Sequence, residues 1–379
     1  MVIITNVHMV LEDEIVKGSV ELENGVIKSM SDTLSQLPQA YDGENGWLMP
    51  GLIELHTDNL EKYFTPRPKV DWPPFSAMSA HDAQLVGSGI TTVLDAVALG
   101  DYREGGRRQE NLDHLIDTVI ESQKRGVNRA EHFLHLRCEV PHETTVGMFE
   151  RYANLSEVHL VSLMDHAPGQ RQFVDVQKYR DYYQGKYKFS DEQMFAFEKE
   201  QVARSQQWSA SNRSEITRQC RERNIPMASH DDATLLHVQE SKDLGMVIAE
   251  FPTTVEAAKA SHEMGLKVMM GAPNVVRGGS HSGNVAAHEL ASLGVLDILS
   301  SDYYPGSLLD ALFQLADDER NDLDLPQATK LATINPAQAL QLNDRGVIAE
   351  GKRADLLLAH HLHDHTYVTR VWRQGKQVF

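Results

Sequence analysis

The chain has 379 residues, 41% of them hydrophobic, and a formal net charge of −18. This length is ample for a large core, and the acidic balance speaks against nucleic acid or a membrane surface as a partner. Cys138 and Cys220 have no disulfide or zinc-knuckle spacing, no run approaches 18 uncharged apolar residues, and the N-terminus lacks a basic n-region, so a reducing cytoplasm is the expected compartment.

Residues 1–50 read as short strands, Val2–Thr5, His8–Leu11, Glu14–Leu22 and Gly25–Met30, with Glu23-Asn24-Gly25 as a hairpin turn. From about residue 51, apolar strands alternate with longer helical segments. The strand candidates are Gly51–His56, Thr91–Val97, Phe133–Val140, Val158–Met164, Pro226–Ser229, Met246–Phe251, Leu266–Gly271 and Leu296–Ser300. Most are continuous apolar runs, as strands covered on both faces of a parallel sheet must be. Between them lie helices such as Asn111–Lys124, where Leu112, Leu115, Ile116, Val119 and Ile120 keep one apolar face. Eight strand–helix units predict an α/β fold, a (β/α)8 TIM-type barrel. Residues 168–200 are polar and rich in tyrosine, which predicts an inserted loop or helical lid. The segments Gly346–Ile348, Ala354–Ala359, Tyr367–Trp372 and Gln377–Phe379 return to strands. The expected division is residues 1–50 with 346–379 as a small β-sandwich, and 51–345 as the barrel.

A strand repeats every two residues, so His56 and Asp58 leave the first barrel strand on one face. A closed barrel brings such strand ends together: His56, Asp58, Asp95, Glu139, Asp165-His166, His230-Asp231-Asp232, Glu250 and Asp302. Each alone is an ordinary polar residue at a strand end. A two-metal hydrolytic site needs about four to six nitrogen and oxygen ligands, a bridging carboxylate and an acid–base group. His56, Asp58, Glu139, His166, His230 and Asp302 supply that inventory.

The tail from Asn335-Pro-Ala-Gln-Ala through Gly346-Val-Ile348 to Gly351-Lys-Arg-Ala-Asp355 resembles the closing signature of the amidohydrolase superfamily. The resemblance implies that His56-Thr-Asp58 stands where many members carry His-x-His, with Asp58 replacing the second histidine. It implies that Asp302, in Leu299-Ser-Ser-Asp302, is the general base. The bridging carboxylated lysine or glutamate has its counterpart in Glu139, and two single histidine ligands have theirs in His166 and His230. These lie on the fourth and fifth strands, where many members use the fifth and sixth. Zinc, two ions, is the metal implied, with manganese or iron as alternatives.

Longer segments, among them Thr65-Pro-Arg-Pro-Lys-Val-Asp-Trp72, Ser162-Leu-Met-Asp-His-Ala-Pro-Gly-Gln-Arg171, Ser229-His-Asp-Asp-Ala-Thr234 and Gly271-Ala-Pro-Asn-Val-Val-Arg277, resemble a branch of that superfamily that cleaves a sugar triphosphate during phosphonate catabolism. The residues allow this chemistry. A triphosphate bound by so acidic a chain needs local cations, and Arg67, Lys69, Arg137, Arg171 and Arg277 lie after or near strand ends. Arg277 and His281 sit in a Gly-rich loop able to turn backbone N–H groups toward an anion, just before a helix expected near Asn284. Arginine adds bidentate contact to phosphate oxygens. The rival reading is an amidohydrolase acting on a C–N bond, a deaminase, cyclic amidase or sugar-phosphate deacetylase; a silent scaffold would have lost metal ligands. The expected partner is a small phosphorylated molecule, with a homo-oligomer left open.

Overall fold

The computed structural model describes residues 1–67, 70–100, 107–280, 283–363 and 365–379. Its first four strands are β1 (Val2–Val10), β2 (Ile15–Glu23), β3 (Val26–Ser31) and β4 (Tyr41–Pro50). Next come β5 (Leu52–Thr57), β6 (Ile90–Leu99), β7 (Glu131–Glu139), β8 (Val158–Met164), β9 (Met227–His230), β10 (Ile248–Glu250), β11 (Lys267–Gly271) and β12 (Ile298–Ser300), with helices between them. The last are β13 (Leu356–Leu362), β14 (His365–Arg373) and β15 (Lys376–Gln377).

Strands β5 to β12 form one eight-stranded sheet in sequential order. Thr57 pairs in parallel with Asp302, and the Asp302 N–H donates to the His56 carbonyl at 3.1 Å, so the first and last strands meet. The expected (β/α)8 barrel is present. All ten residues of β6 are buried, which requires cover on both faces and explains its apolar composition. The helix expected from Asn111 runs Arg107–Lys124 and buries Leu112, Leu115, Ile116 and Val119. Burying each such side chain contributes about 1.5–3 kcal/mol.

The two ends of the chain join in one seven-stranded sheet, ordered β15-β14-β13-β4-β1-β2-β3. Its core includes Ile4, Val7, Val20, Leu48, Leu356 and Trp372. The β2–β3 turn has Asn24 at φ 50° and Gly25 at φ 85°, the left-handed pair a tight hairpin needs.

Three segments depart from the sequence expectation. The two strands read before residue 12 are one, β1, bulged at Asn6, which takes φ 55°. Strand β4 is not expected from the sequence, because Asp42-Gly43-Glu44-Asn45-Gly46 has turn composition. Here Glu44 and Asn45 do adopt φ 53° and 57°, as a bulge inside the strand pairing with β1. Gly346–Ile348, expected as a strand, forms none: Gly346 sits at φ 92°, where a Cβ would come 2.9 Å from Ile334 Cα, while Ile348 still enters the core.

Residue contacts divide the chain into two units, Met1–Asp95, Asp117–Phe133 and Met270–Phe379 in one, Ala96–Ile116 and Leu134–Met269 in the other. No helix among the described residues is long and apolar enough to cross a membrane.

Candidate metal centre

In the second unit, strand ends place two histidines around one carboxylate. Glu139 closes β7, His166 follows β8 by two residues, and His230 closes β9. The His166 Nδ1 lies 2.6 Å from Glu139 Oε1, and the His230 Nδ1 lies 2.5 Å from Glu250 Oε2. A carboxylate at Nδ1 makes that nitrogen the N–H donor, which leaves Nε2 as the ligating atom. Both Nε2 atoms converge on Asp231 Oδ2, at 3.5 Å from His166 and 3.3 Å from His230. Among the described residues that buried oxygen has no hydrogen-bond partner. The three residues offer ligand atoms within 4.8 Å of one another. Two imidazole nitrogens around an orphaned carboxylate oxygen fit a divalent cation.

The electrostatics agree. Burial alone would lower the His166 pKa, but Glu139 and Asp231 raise it to about 10. The carboxylates thus demand a positive charge at this point, as a proton or as a metal ion.

Backbone strain aims the ligands. Asp231, Phe251 and Asp302 each follow a barrel strand closely at φ 58°, 55° and 55°. Non-glycine residues rarely adopt that region unless their surroundings impose it. In each, the N–H still donates to the neighbouring strand or its end: Asp231 to Glu250 O at 2.9 Å, Phe251 to Met269 O at 2.9 Å, Asp302 to His56 O.

The first unit holds His56, Asp58 and Asp302 at the joint of β5 and β12. His56 is buried, and its N–H donates to Glu54 Oε1 at 2.7 Å, while the Ser301 N–H donates to Glu54 Oε2 at 2.6 Å. Glu54 therefore ties the two strands together beneath the candidate ligands; burial raises its pKa to about 7. Asp58 caps the helix Asn59–Phe64 by position, and its buried Oδ1 has no hydrogen-bond partner among the described residues.

Asp95 does not share this setting. It lies within β6, fully buried, with Oδ1 2.7 Å from His81 Nε2 and Oδ2 2.7 Å from His132 Nδ1. His132 Nε2 lies 3.3 Å from Asp82 Oδ1. The even-numbered residues of β7 share one face, so His132 and the odd-numbered Glu139 point oppositely, and Asp95 belongs to a separate buried network.

The expected anion-binding cations differ in setting. Arg277 is exposed, and its Nη1 donates to the Tyr303 hydroxyl at 3.4 Å, one residue beyond Asp302. Arg67 is exposed and Arg137 half-buried, with its buried Nε lacking a hydrogen-bond partner among the described residues. Arg171 is buried, ion-paired with Asp232 and, at 2.7 Å, with Glu240. Burial and the nearby Arg213 push its pKa down to about 10. Lys69 and His281 lie outside the described residues. The Gly-rich loop carries Gly278 at φ 76° and Gly279 at φ 153° and leads to a helix, Ala287–Ser292, three residues later than expected.

Spacing along the sequence does not single out Asp231 or Glu250 as ligands, nor Glu54 as their support. The first two were visible as strand-end acids; only their contacts separate them from Asp232, whose Oδ2 accepts from Ser241 Oγ at 2.8 Å.

Comparisons with known proteins agree with this architecture. The amidohydrolase family model matches residues 47–378. The alpha-D-ribose 1-methylphosphonate 5-triphosphate diphosphatase of Escherichia coli is 65% identical over 377 residues, covering 100% of both chains. An adenine deaminase of Methanosphaera stadtmanae is 25% identical, covering 100% of this chain and 58% of its own. Among solved structures, 5-methylcytosine deaminase from Klebsiella pneumoniae superposes with a TM-score of 0.65 at 13% identity, covering 100% of this chain and 97% of that one. By sequence and by fold, this chain belongs to the amidohydrolase family.

Proposed function

We propose that the chain hydrolyses alpha-D-ribose 1-methylphosphonate 5-triphosphate to the 5-phosphate and diphosphate, in phosphonate catabolism in the cytoplasm. The observation that carries this reading is the full-length 65% identity to the Escherichia coli diphosphatase. Residues 51–345 serve as the catalytic barrel, with residues 1–50 and 346–379 as the accessory domain.

His56, Asp58, Glu139, His166, His230 and Asp302 would hold two divalent ions, zinc by preference. When bound, these ions supply positive charge against the developing phosphoryl charge and acidify water. Asp302 accepts the proton of the attacking water. Glu139 orients His166 through Oε1 and would be a ligand in its own right, and Glu250 orients His230. Asp231, between the two histidines, would join the ligand set. Water adds across the α–β anhydride: a new P–O bond forms, the bridging P–O bond breaks, and diphosphate departs. Arg67, Lys69, Arg137, Arg277 and His281 bind the phosphate chain, offsetting the net charge of −18. Arg171, held by two carboxylates, positions the loop after β8.

The test is direct. Metal-loaded protein is incubated with the ribose 5-triphosphate and with nucleoside triphosphates, and products are resolved by phosphorus NMR. Diphosphate and a 5-phosphate are expected. Orthophosphate alone, or release of ammonia or acetate from amide substrates with triphosphates left intact, would overturn the reading.

A further inference from the structure

Several arginines of this chain are spent on carboxylates: Arg171 and Arg213 on Glu240, Arg180 on Glu198, Arg345 and Arg353 on Glu131. Two cations near Asp302 are not. Among the described residues, Lys62 and Arg277 make their contacts to neutral groups, in a chain whose net charge is −18. Both belong to the unit that holds His56, Asp58 and Asp302.

Lys62 lies on the helix Asn59–Phe64, about one turn beyond Asp58. Its Nζ donates to the Tyr303 carbonyl at 2.9 Å and to Asn59 Oδ1 at 3.2 Å, and stands 5.6 Å from the centre of the Tyr303 ring. An ammonium has three donors, so these contacts leave one for an anion. Arg277 reaches the same tyrosine from the loop after β11, where its Nη1 donates to the phenol oxygen at 3.4 Å. Most of its five N–H donors are left over as well. Tyr303 directly follows Asp302, whose carboxylate lies at the foot of that loop. A Cβ built on Gly271, the last residue of β11, would come 4.0 Å from Asp302 Oδ2.

One tyrosine thus gathers two like charges beside the proposed base, and both are exposed to an incoming ligand. Like charges repel, so the arrangement gains most from an anion that answers both at once. A phosphonate monoester carries a single negative charge and would answer one. A terminal diphosphate carries several and offers oxygens to both.

Resting on the diphosphatase reading, we propose that Lys62 is a further substrate-binding residue, and that Lys62 and Arg277, joined through Tyr303, hold the diphosphate end of the triphosphate. The charge of the leaving group then meets fixed cations while Asp302 takes the proton of the attacking water. The sugar and its methylphosphonate lie beyond this pair.

Lys62→Gln keeps a donor for the Tyr303 carbonyl and removes the charge. In calorimetric titrations of metal-loaded protein, inorganic diphosphate should bind the variant about 10-fold more weakly than wild type. That is the lower end for a charge-assisted hydrogen bond, because Lys62 is exposed. The other product, alpha-D-ribose 1-methylphosphonate 5-phosphate, should bind both proteins equally. On the triphosphate, kcat/KM should fall by the same factor as diphosphate affinity, at unchanged metal content. Lys62→Arg, which keeps the charge, should recover most of the loss. Lys28→Gln, which removes a lysine paired with Glu21 in the terminal sheet, should show none. Unchanged diphosphate affinity in Lys62→Gln, equal weakening for both products, or loss of metal would overturn the inference. Wild-type protein that leaves the ribose 5-triphosphate intact would sink the diphosphatase reading instead. A diphosphate affinity that still depends on Lys62 would then retain the anion site, and one that does not would remove it.

Discussion

Replacing His132 by glutamine probes the buried network of the first unit independently of catalysis. His132 is 0% exposed and lies between two carboxylates, Asp95 at 2.7 Å and Asp82 at 3.3 Å. Burial opposes its charge, yet Asp95 and Asp82 raise its pKa from 6.5 to about 9. At about 1.4 kcal/mol per pH unit, that rise corresponds to about 3 kcal/mol of folding stability. The sign follows from the direction of the shift. A raised histidine pKa stabilises the fold fully below about pH 6.5, and the contribution is lost as pH rises through about 9. His132→Gln should therefore be less stable than wild type by about 3 kcal/mol at pH 6, with the gap nearly closed at pH 10. In thermal unfolding of chelator-treated protein, the gap at pH 6 should appear as a fall in Tm on the order of 5 °C. Chelation keeps metal binding from adding its own pH dependence. A gap below about 1 kcal/mol at pH 6, or one of equal size at pH 6 and pH 10, would mean that His132 is neutral in the fold and would refute the reasoning.

Three further outcomes are expected at the candidate centre. Asp302→Asn should retain metal but lose about 10²- to 10⁴-fold in turnover, because the amide cannot take a proton; near-wild-type activity with full metal content would place the base elsewhere. Glu250→Gln should weaken metal binding about 10- to 100-fold in a chelator competition, since it removes the carboxylate that orients His230; unaltered affinity would exclude His230 as a ligand. Arg277→Met should lower kcat/KM on triphosphates about 10- to 150-fold without changing metal content, the loss of a charge-assisted hydrogen bond; unchanged kinetics would return the Gly-rich loop to a structural role.

Much of the barrel is legible in the residues themselves. All eight barrel strands overlap the strand candidates, most of which are apolar runs because a strand buried on both faces favours them. His56 and Asp58 are visible as a pair because the strand period of two is a local rule. Local composition misleads where a bulge intervenes: Glu44 and Asn45 look like a turn and serve inside β4. Only the tertiary structure decided what each strand-end acid does. Asp95 turns to His81 and His132, Asp232 takes Arg171, and Asp231 faces the two histidines. Likewise Glu54 joins β5 to a backbone N–H 247 positions away, at Ser301. Such contacts depend on which strands become neighbours and on residues held at positive φ after the strand ends. Neither is encoded in the spacing of apolar residues along one segment, since periodicity fixes the face a side chain takes but not the partner it meets there.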